Sequence, residues 1–215
     1  LLAEFEQEFQ TEMQTYNVPG SAVAIVQNGE IVYTKGFGVR NLETNEPVTT
    51  STVFRVGSTT KAMTSLMIAT LVDEGMLDWD TPAIEIYPEF KLPTDELTQS
   101  VTLRELMGMG TGLGSNIPSP YWDEYSATDL LAALATFPVL GKKGETYFYN
   151  NEVFASAGYI AALATRPAGQ DLLEVYKALM QKRVFGPIGM STAALSDNPA
   201  SVSKDYAASY GFSLA

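Results

Sequence analysis

A serine and a lysine three residues apart, Ser58-Thr-Thr-Lys61, have the types and spacing that covalent chemistry needs. Ser58 follows Gly57 and opens a long apolar run. It would therefore stand at the mouth of a helix, where backbone N–H groups are unpaired and the macrodipole is positive, and both favour negative charge growing on its oxygen. Lys61, at i+3, lies on the same face one turn on. A lysine on an otherwise apolar helix is costly without partners, and desolvation would push it toward a neutral amine able to take a proton. The chemistry would be attack by an activated hydroxyl. The plainer alternative for Ser58 is an N-cap and nothing more. A second copy of the pattern, Ser201-Val-Ser-Lys204, follows Asn198-Pro199 in a polar stretch with no apolar helix behind it, and reads as chance.

Further along, Tyr147-Phe-Tyr149-Asn-Asn151 ends a loop and opens a helix, setting a phenol and an amide two residues apart. A phenol beside an ammonium loses its proton more easily, because the opposite charge favours phenolate. The amide of Asn151 could orient a substrate carbonyl or the lysine. Taken singly, the plainer readings outweigh these: Tyr149 as a core-rim aromatic with a bonded hydroxyl, Asn151 as a helix N-cap. Asp78, Asp80 and the acidic pair at 123–124 read as solvated or capping residues, Arg55 as a tie for the loop before Ser58, and Glu145 as a surface residue. The glycine-rich stretch 108–114 lacks the Lys-Ser/Thr of a phosphate loop and reads as a system of turns.

Composition closes several routes. With no histidine in 215 residues, the Ser-His-Asp mechanism and histidine-based metal ligation are excluded, and with no cysteine so are disulfides, thiol nucleophiles and thiolate metal sites. No metal or organic cofactor is implied. A net charge of −12 repels phosphate backbones, so nucleic acid is not an expected partner. No apolar run approaches the length that spans a bilayer. The 46% hydrophobic and 18% charged residues suit one globular domain of two lobes. Extracytoplasmic and cytoplasmic locations both fit.

The elements that must position these groups can be read in order. Leu2, Phe5, Phe9, Met13 and Tyr16 form one stripe at helical spacing, facing something flat, and Pro19-Gly20 ends that helix. Residues 21–27 and 30–36 are β-rich runs around Asn28-Gly29, a hairpin signal. A polar loop covers 40–56. Ser58 to Glu74 reads as a buried helix, apolar almost all round, stopped by Gly75. After it the pattern is mostly helical: a capping box at Thr102-Leu-Arg-Glu105, a capped run from Ser126 through Leu130 to Ala135, and helices over 151–165 and 171–182 broken by Arg166-Pro167-Ala-Gly169. Two strands rarely make a stable sheet, so the sheet is begun and left unfinished.

These stretches together resemble the broad family of class C β-lactamases, DD-peptidases and related esterases and D-amino-acid amidases, the penicillin-recognising serine hydrolases. The carrying stretches are Val18-Pro-Gly-Ser-Ala-Val-Ala-Ile-Val26, Phe54-Arg-Val-Gly-Ser-Thr-Thr-Lys61, Gly75-Met-Leu-Asp-Trp-Asp-Thr-Pro82, Val101-Thr-Leu-Arg-Glu-Leu106, Tyr149-Asn-Asn151 with Gly158-Tyr159, and Val184-Phe-Gly-Pro-Ile-Gly-Met190. Each is loose; their order and spacing are specific. The resemblance implies an α/β (α+β) fold of the β-lactamase/transpeptidase type: an α/β sandwich lobe, an all-helical lobe, and an antiparallel sheet incomplete in this chain. It divides 1–215 into the start of the α/β lobe at 1–55, a mainly helical lobe at 56–190, and the start of a return to the α/β lobe at 191–215. It implies that Ser58 forms an acyl-enzyme, that Lys61 and Tyr149 share the proton traffic, that Asn151 positions substrate, and that the Ser58 N–H is half of an oxyanion hole. The Tyr-x-Asn form points to the class C and esterase side.

There are departures. The family's third motif, Lys-Thr-Gly or a His-x-Gly variant on a late strand, is absent, and Gly141-Lys-Lys-Gly144 precedes Tyr149 and does not replace it. A histidine often found after the 102–106 helix is replaced by Met107-Gly-Met-Gly110, and Lys143 stands where proline is usual. The expectation is a C-terminal segment of the same protein completing the sheet and the oxyanion hole, without which 1–215 is poorly folded and inactive. The function expected is hydrolysis of an amide or ester in a small-molecule or peptide substrate, of the esterase, D-amino-acid peptidase/amidase or DD-carboxypeptidase type. The alternatives are a β-lactamase proper, a non-catalytic penicillin-binding or sensor-like domain, and a plain structural helical protein.

Overall fold

A computed structural model describes residues 1–115, 125–165, 169–196 and 198–210. The acidic pair at 123–124 and the break at 166–168 lie outside the described residues. The chain divides into two units, 1–56 with 194–215, and 57–193.

In the first unit, helix α1 (Leu2–Thr15) lays the expected stripe on a β-hairpin. Phe5 meets Tyr33 edge-on at 6.1 Å and Phe9 meets Phe37 at 4.9 Å. Glu6 joins the same face, accepting from the Tyr33 hydroxyl at 2.9 Å and pairing with Lys35 at 2.5 Å. Tyr16 falls beyond the last helical residue and stays 70% exposed, so the stripe ends at Met13. Strands β1 (Gly20–Gln27) and β2 (Glu30–Gly38) pair antiparallel, Ala24 opposite Thr34, with a register shift between Ile25 and Val26. Asn28 and Gly29 both have positive φ, +54° and +82°, as the tight turn that matches strand twist demands. Among the described residues the sheet has these two strands alone, and Val26, Ile31 and Val32 remain exposed. That is the unfinished sheet the sequence implies. The polar loop is tied by Asp205: Thr49 and Thr52 hydroxyls donate to its carboxylate at 2.7 Å each, and backbone bonds of 2.9 Å run from Val53 N–H to the Asp205 carbonyl and from Ala207 N–H to the Val53 carbonyl.

The second unit is helical. A 3₁₀ turn at Gly57–Thr59 leads into α2 (Thr60–Asp73), followed by α3 (Ala83–Ile86), α4 (Asp95–Ser100), α5 (Leu103–Met107), α6 (Ala127–Ala133), α7 (Asn151–Leu163) and α8 (Leu172–Met180), which passes into a π-helical turn at Gln181–Phe185. Ser58 thus sits in the 3₁₀ turn, not in the α-helix expected to start there. Nor is α2 buried all round. Thr64, Met67, Ile68 and Leu71, spaced i, i+3, i+4, i+7, are buried against α7, α8 and the π-turn, while Leu66 on the other face is 46% exposed. Gly75 ends α2 as expected: its φ is +71°, and the N–H groups of Gly75 and Met76 bond back to Val72 and Leu71 carbonyls at 2.9 Å each. The expected capping box forms at α5, Thr102 with Glu105, and the expected cap at α6 is a second such box, Ser126 with Asp129. Asp78 caps locally, accepting from Asp80 N–H at 2.8 Å, and exposed Asp80 takes Arg104 at 2.7 and 2.9 Å. The core gathers Met67, Ile68 and Leu71 of α2 with Leu103, Leu106, Ala157, Ile160, Ala161 and Met180. No helix of the described residues is long and apolar enough to cross a membrane.

Candidate active site

Four side chains from two distant segments of the helical unit meet at one point. The Ser58 hydroxyl and the Tyr149 phenol share a hydrogen bond of 2.6 Å. The Lys61 amine donates to Tyr149 OH at 2.8 Å, to Asn151 Oδ1 at 2.6 Å and to Ser58 Oγ at 3.3 Å. Its charge also lies 4.8 Å from the Tyr149 ring centre and 5.5 Å from that of Phe154. An ammonium has three protons to give, and here three oxygens receive them. These bonds offset the cost of drawing a half-buried lysine back along its helix. These contacts bring Lys61 and Tyr149, the two groups expected to share the proton traffic, together on the Ser58 hydroxyl.

The Lys61 hydrogen bond holds the Tyr149 phenol below the ordinary tyrosine range, the Ser58 hydrogen bond adds to this, and partial desolvation opposes both. A phenol of lowered pKa, 2.6 Å from a serine oxygen, can take that oxygen's proton. Tyr149 is 54% exposed, so a carbonyl can reach the pair from solvent.

The local folding reasons are legible. Gly57, free of a Cβ, takes φ +51° at the start of the 3₁₀ turn, and α2 then carries Lys61 back toward Ser58. At α7 the N-cap is Asn150, 3% exposed, whose side chain accepts from Val153 N–H at 2.9 Å. The capping role foreseen as the plain alternative for Asn151 is therefore filled by its neighbour, and Asn151, in the first helical turn, reaches Lys61. Residues 146–150 alternate as a strand does, with Phe148 and Asn150 inward and Tyr147 and Tyr149 outward.

What holds this segment was not foreseen. The glycine-rich stretch is more than a set of turns: it runs beside 138–150 as a template. Gly114 N–H bonds to the Pro138 carbonyl at 2.9 Å, Leu140 N–H to Gly112 at 2.9 Å, Gly144 N–H to Gly110 at 2.8 Å and Phe148 N–H to Met109 at 3.3 Å. At Gly112, with φ +77°, a Cβ would lie 2.2 Å from the Gly141 carbonyl oxygen, so glycine is required for the approach. Lys143, in place of the usual proline, pins the same loop to Glu105 at 3.0 Å and to the Ser100 carbonyl at 3.1 Å. Glu145 stays at the surface, 3.6 Å from Lys142. Phe154 was also missed, though its i+3 spacing from Asn151 puts both on one face of α7. Gly158 brings α7 against α2 and α8: a Cβ there would stand 3.0 Å from Thr64 Cγ2 and 3.0 Å from Tyr176 Cε2. Among the described residues no group of His, Cys, Asp or Glu is gathered to hold a metal ion.

The Beta-lactamase family model matches residues 5–212. The unguisins hydrolase ungD of Aspergillus violaceofuscus (strain CBS 115571) is 27% identical over 197 residues, covering 87% of this chain and 33% of that protein. Among solved structures, the octameric penicillin-binding protein homologue from Pyrococcus abyssi superposes with TM-score 0.78 at 27% identity, over 96% of this chain and 47% of that one. A class C β-lactamase gives 0.75 at 26% identity, over 93% and 52%. SurE with D-Leu gives 0.67 at 26%, over 84% and 39%. The chain spans about half the length of the first two structures and a third of the fungal relative.

Proposed function

The chain belongs to the β-lactamase family, with the β-lactamase/transpeptidase-like fold of its structural neighbours, and on that premise we propose that it carries the nucleophile of a serine hydrolase that opens amide or ester bonds through a Ser58 acyl-enzyme. The observation that carries this is the contact of Ser58 Oγ, Tyr149 OH and Lys61 Nζ, at 2.6, 2.8 and 3.3 Å. Tyr149, as phenolate, takes the Ser58 proton while Oγ attacks the carbonyl carbon. Negative charge moves to the carbonyl oxygen, and the Ser58 backbone N–H is one donor toward it. Collapse expels the alcohol or amine, which receives the proton from the Tyr149 hydroxyl. Water then enters by the same route in reverse, Tyr149 taking its proton and returning one to Ser58 as the acid leaves. Lys61, donating to the Tyr149 oxygen, favours the phenolate and shares the proton traffic, and Asn151 holds Lys61 on one side and faces substrate on the other.

Of the finer classes, an esterase or a peptidase or amidase acting on small or D-configured substrates is the reading we prefer; SurE, a structural relative, was solved with D-Leu. A β-lactamase proper is the second reading, favoured by the likeness to a class C enzyme. A C-terminal segment completing the sheet and supplying a second oxyanion donor belongs to the same proposal.

The test is covalent labelling. The protein is treated with a fluorophosphonate and a fluorescent penicillin, and the label is located by mass spectrometry. Label on Ser58 with turnover of ester or D-amide substrates is the expected result. Stable label without turnover would favour a sensor, and turnover of the penicillin a β-lactamase. No label on Ser58 at neutral pH would remove the nucleophile.

A further inference from the structure

We propose that Met109 is a positioning residue for Tyr149, holding the backbone on both sides of the phenol: its carbonyl accepts from Phe148 N–H at 3.3 Å and its thioether sulfur accepts from Asn150 N–H at 3.2 Å. This deepens the reading of the site given above and rests on it for the word catalysis, but not for the geometry.

Three observations converge on this residue. Met109 is 8% exposed, so its side chain is committed to the interior. Its φ is +52°, in the left-handed region where a side chain is unfavourable and glycine is the easy choice. Glycines stand on both sides of it, at 108 and 110, yet a methionine occupies the strained position. Strain of that kind persists where the surroundings over-determine it. Here both acceptor atoms of the residue are used, and both are used on neighbours of Tyr149, while its N–H bonds to the Leu106 carbonyl at 3.2 Å. The Asn150 N–H precedes the helix and lies in a residue 3% exposed, where an unpaired donor is costly. Sulfur is a weak acceptor but a long and adaptable one, and it reaches this N–H. Asn150 is fixed a second time, its side-chain amide donating to the Leu113 carbonyl at 3.5 Å.

The consequence falls on the phenol. With Phe148 and Asn150 anchored inward, Tyr149 between them must project outward, at the distance that gives Ser58 2.6 Å and Lys61 2.8 Å. Among the described residues the charged group in contact with the phenol is Lys61 from α2; Glu152 on α7 is buried and accepts from Ser115 at 2.7 Å. Loosening the anchor lengthens the Lys61 contact and lets the phenol return toward its ordinary titration.

The test compares wild type, Met109→Leu, which keeps the apolar bulk without the acceptor, and Met109→Gln, which sets an amide oxygen near the sulfur's place. Tyr149 is titrated by NMR of ¹³Cζ-labelled tyrosine and assigned with Tyr149→Phe, and fluorophosphonate labelling of Ser58 is timed across pH. In Met109→Leu the Tyr149 midpoint rises toward that of free tyrosine and labelling slows by about tenfold, the effect expected of leaving one buried donor unpaired; Met109→Gln keeps both near wild type. A purely structural role would lower the melting temperature while leaving the midpoint in place, and that result overturns the proposal. If Met109→Leu unfolds before it can be titrated, Met109→Gln decides alone: a midpoint at the free-tyrosine value overturns it. If wild type is not labelled at all, the hydrolase reading falls while the titration still decides Met109.

Discussion

The chain contains Ser-x-x-Lys twice, and the two copies start alike. Ser58 and Ser201 each lie in a short 3₁₀ turn, Gly57–Thr59 and Pro199–Ser201. After Ser58 the chain continues into 14 residues of α2, and Lys61 returns toward the serine one turn on. After Ser201 no helix follows among the described residues. Ser201 turns back on its own neighbourhood, donating to the Asn198 carbonyl at 2.7 Å and sharing 3.0 Å with Ser196, while Lys204 offers only its carbonyl, to Arg40 at 3.1 Å. The larger difference lies outside both motifs. The first copy receives a phenol and an amide from 88 to 91 residues away; the second receives nothing comparable among the described residues. Four letters specify a local arrangement, and a long-range contact makes it a site.

The largest effect that would break this contrast is at the serines themselves. Ser58→Ala should abolish fluorophosphonate labelling, and Ser201→Ala should leave it intact with stability within about 0.5 kcal/mol of wild type, as for surface changes generally; label surviving at Ser201 in the first variant would make the copies equivalent. Next, Tyr149→Phe and Lys61→Ala should each slow acylation by about 10²–10⁴-fold, the usual worth of a positioned acid–base group, with little change in melting temperature. Lys204→Ala should do nothing, and gross unfolding in both site variants would restore a structural role.

The pH profile sharpens the contrast further. Because the Lys61 bond draws the Tyr149 phenol down, the ascending limb of acylation rate against pH should be displaced toward acid relative to a free tyrosine base. Lys61→Ala removes the main cause, so the limb should move to more alkaline pH; an unmoved limb would assign the base to some other group. A smaller effect is expected at Gly158→Ala, where a Cβ meets Thr64 and Tyr176 at 3.0 Å each: overpacking of about 1–3 kcal/mol, read as a lower melting temperature with slower acylation as α2 shifts from α7. The smallest is Asn150→Ala, costing about 1 kcal/mol as a lost N-cap.

Much of the frame was legible because its signals are local. Asn28-Gly29 turns the hairpin, Thr102 and Ser126 cap their helices, and Gly75 stops α2, each through a bond or dihedral spanning at most five residues. The interior of α2 was overread. Apolar letters all round imply burial all round, yet Leu66 is exposed, since burial depends on which neighbours arrive and not on the residue's own preference. The template role of 108–114 was hidden for a related reason. Glycine marks permissive backbone but does not say what approaches it, and here the approach is residues 138–148.

By itself the sequence narrowed the candidate chemistry within this chain, where no histidine or cysteine competes with lysine, tyrosine or a carboxylate as the activator of a hydroxyl. Type and spacing made Ser58, Lys61, Tyr149 and Asn151 candidates. Only the tertiary structure decided their relations: that Asn150 rather than Asn151 caps α7, that Lys61 gives its protons to three oxygens, and that the phenol lies 2.6 Å from the serine. Those distances follow from helix packing and loop pairing across some 90 residues of chain, and a one-ångström change in any of them leaves every letter of the sequence unchanged while breaking the contact on which the proposed proton transfer depends.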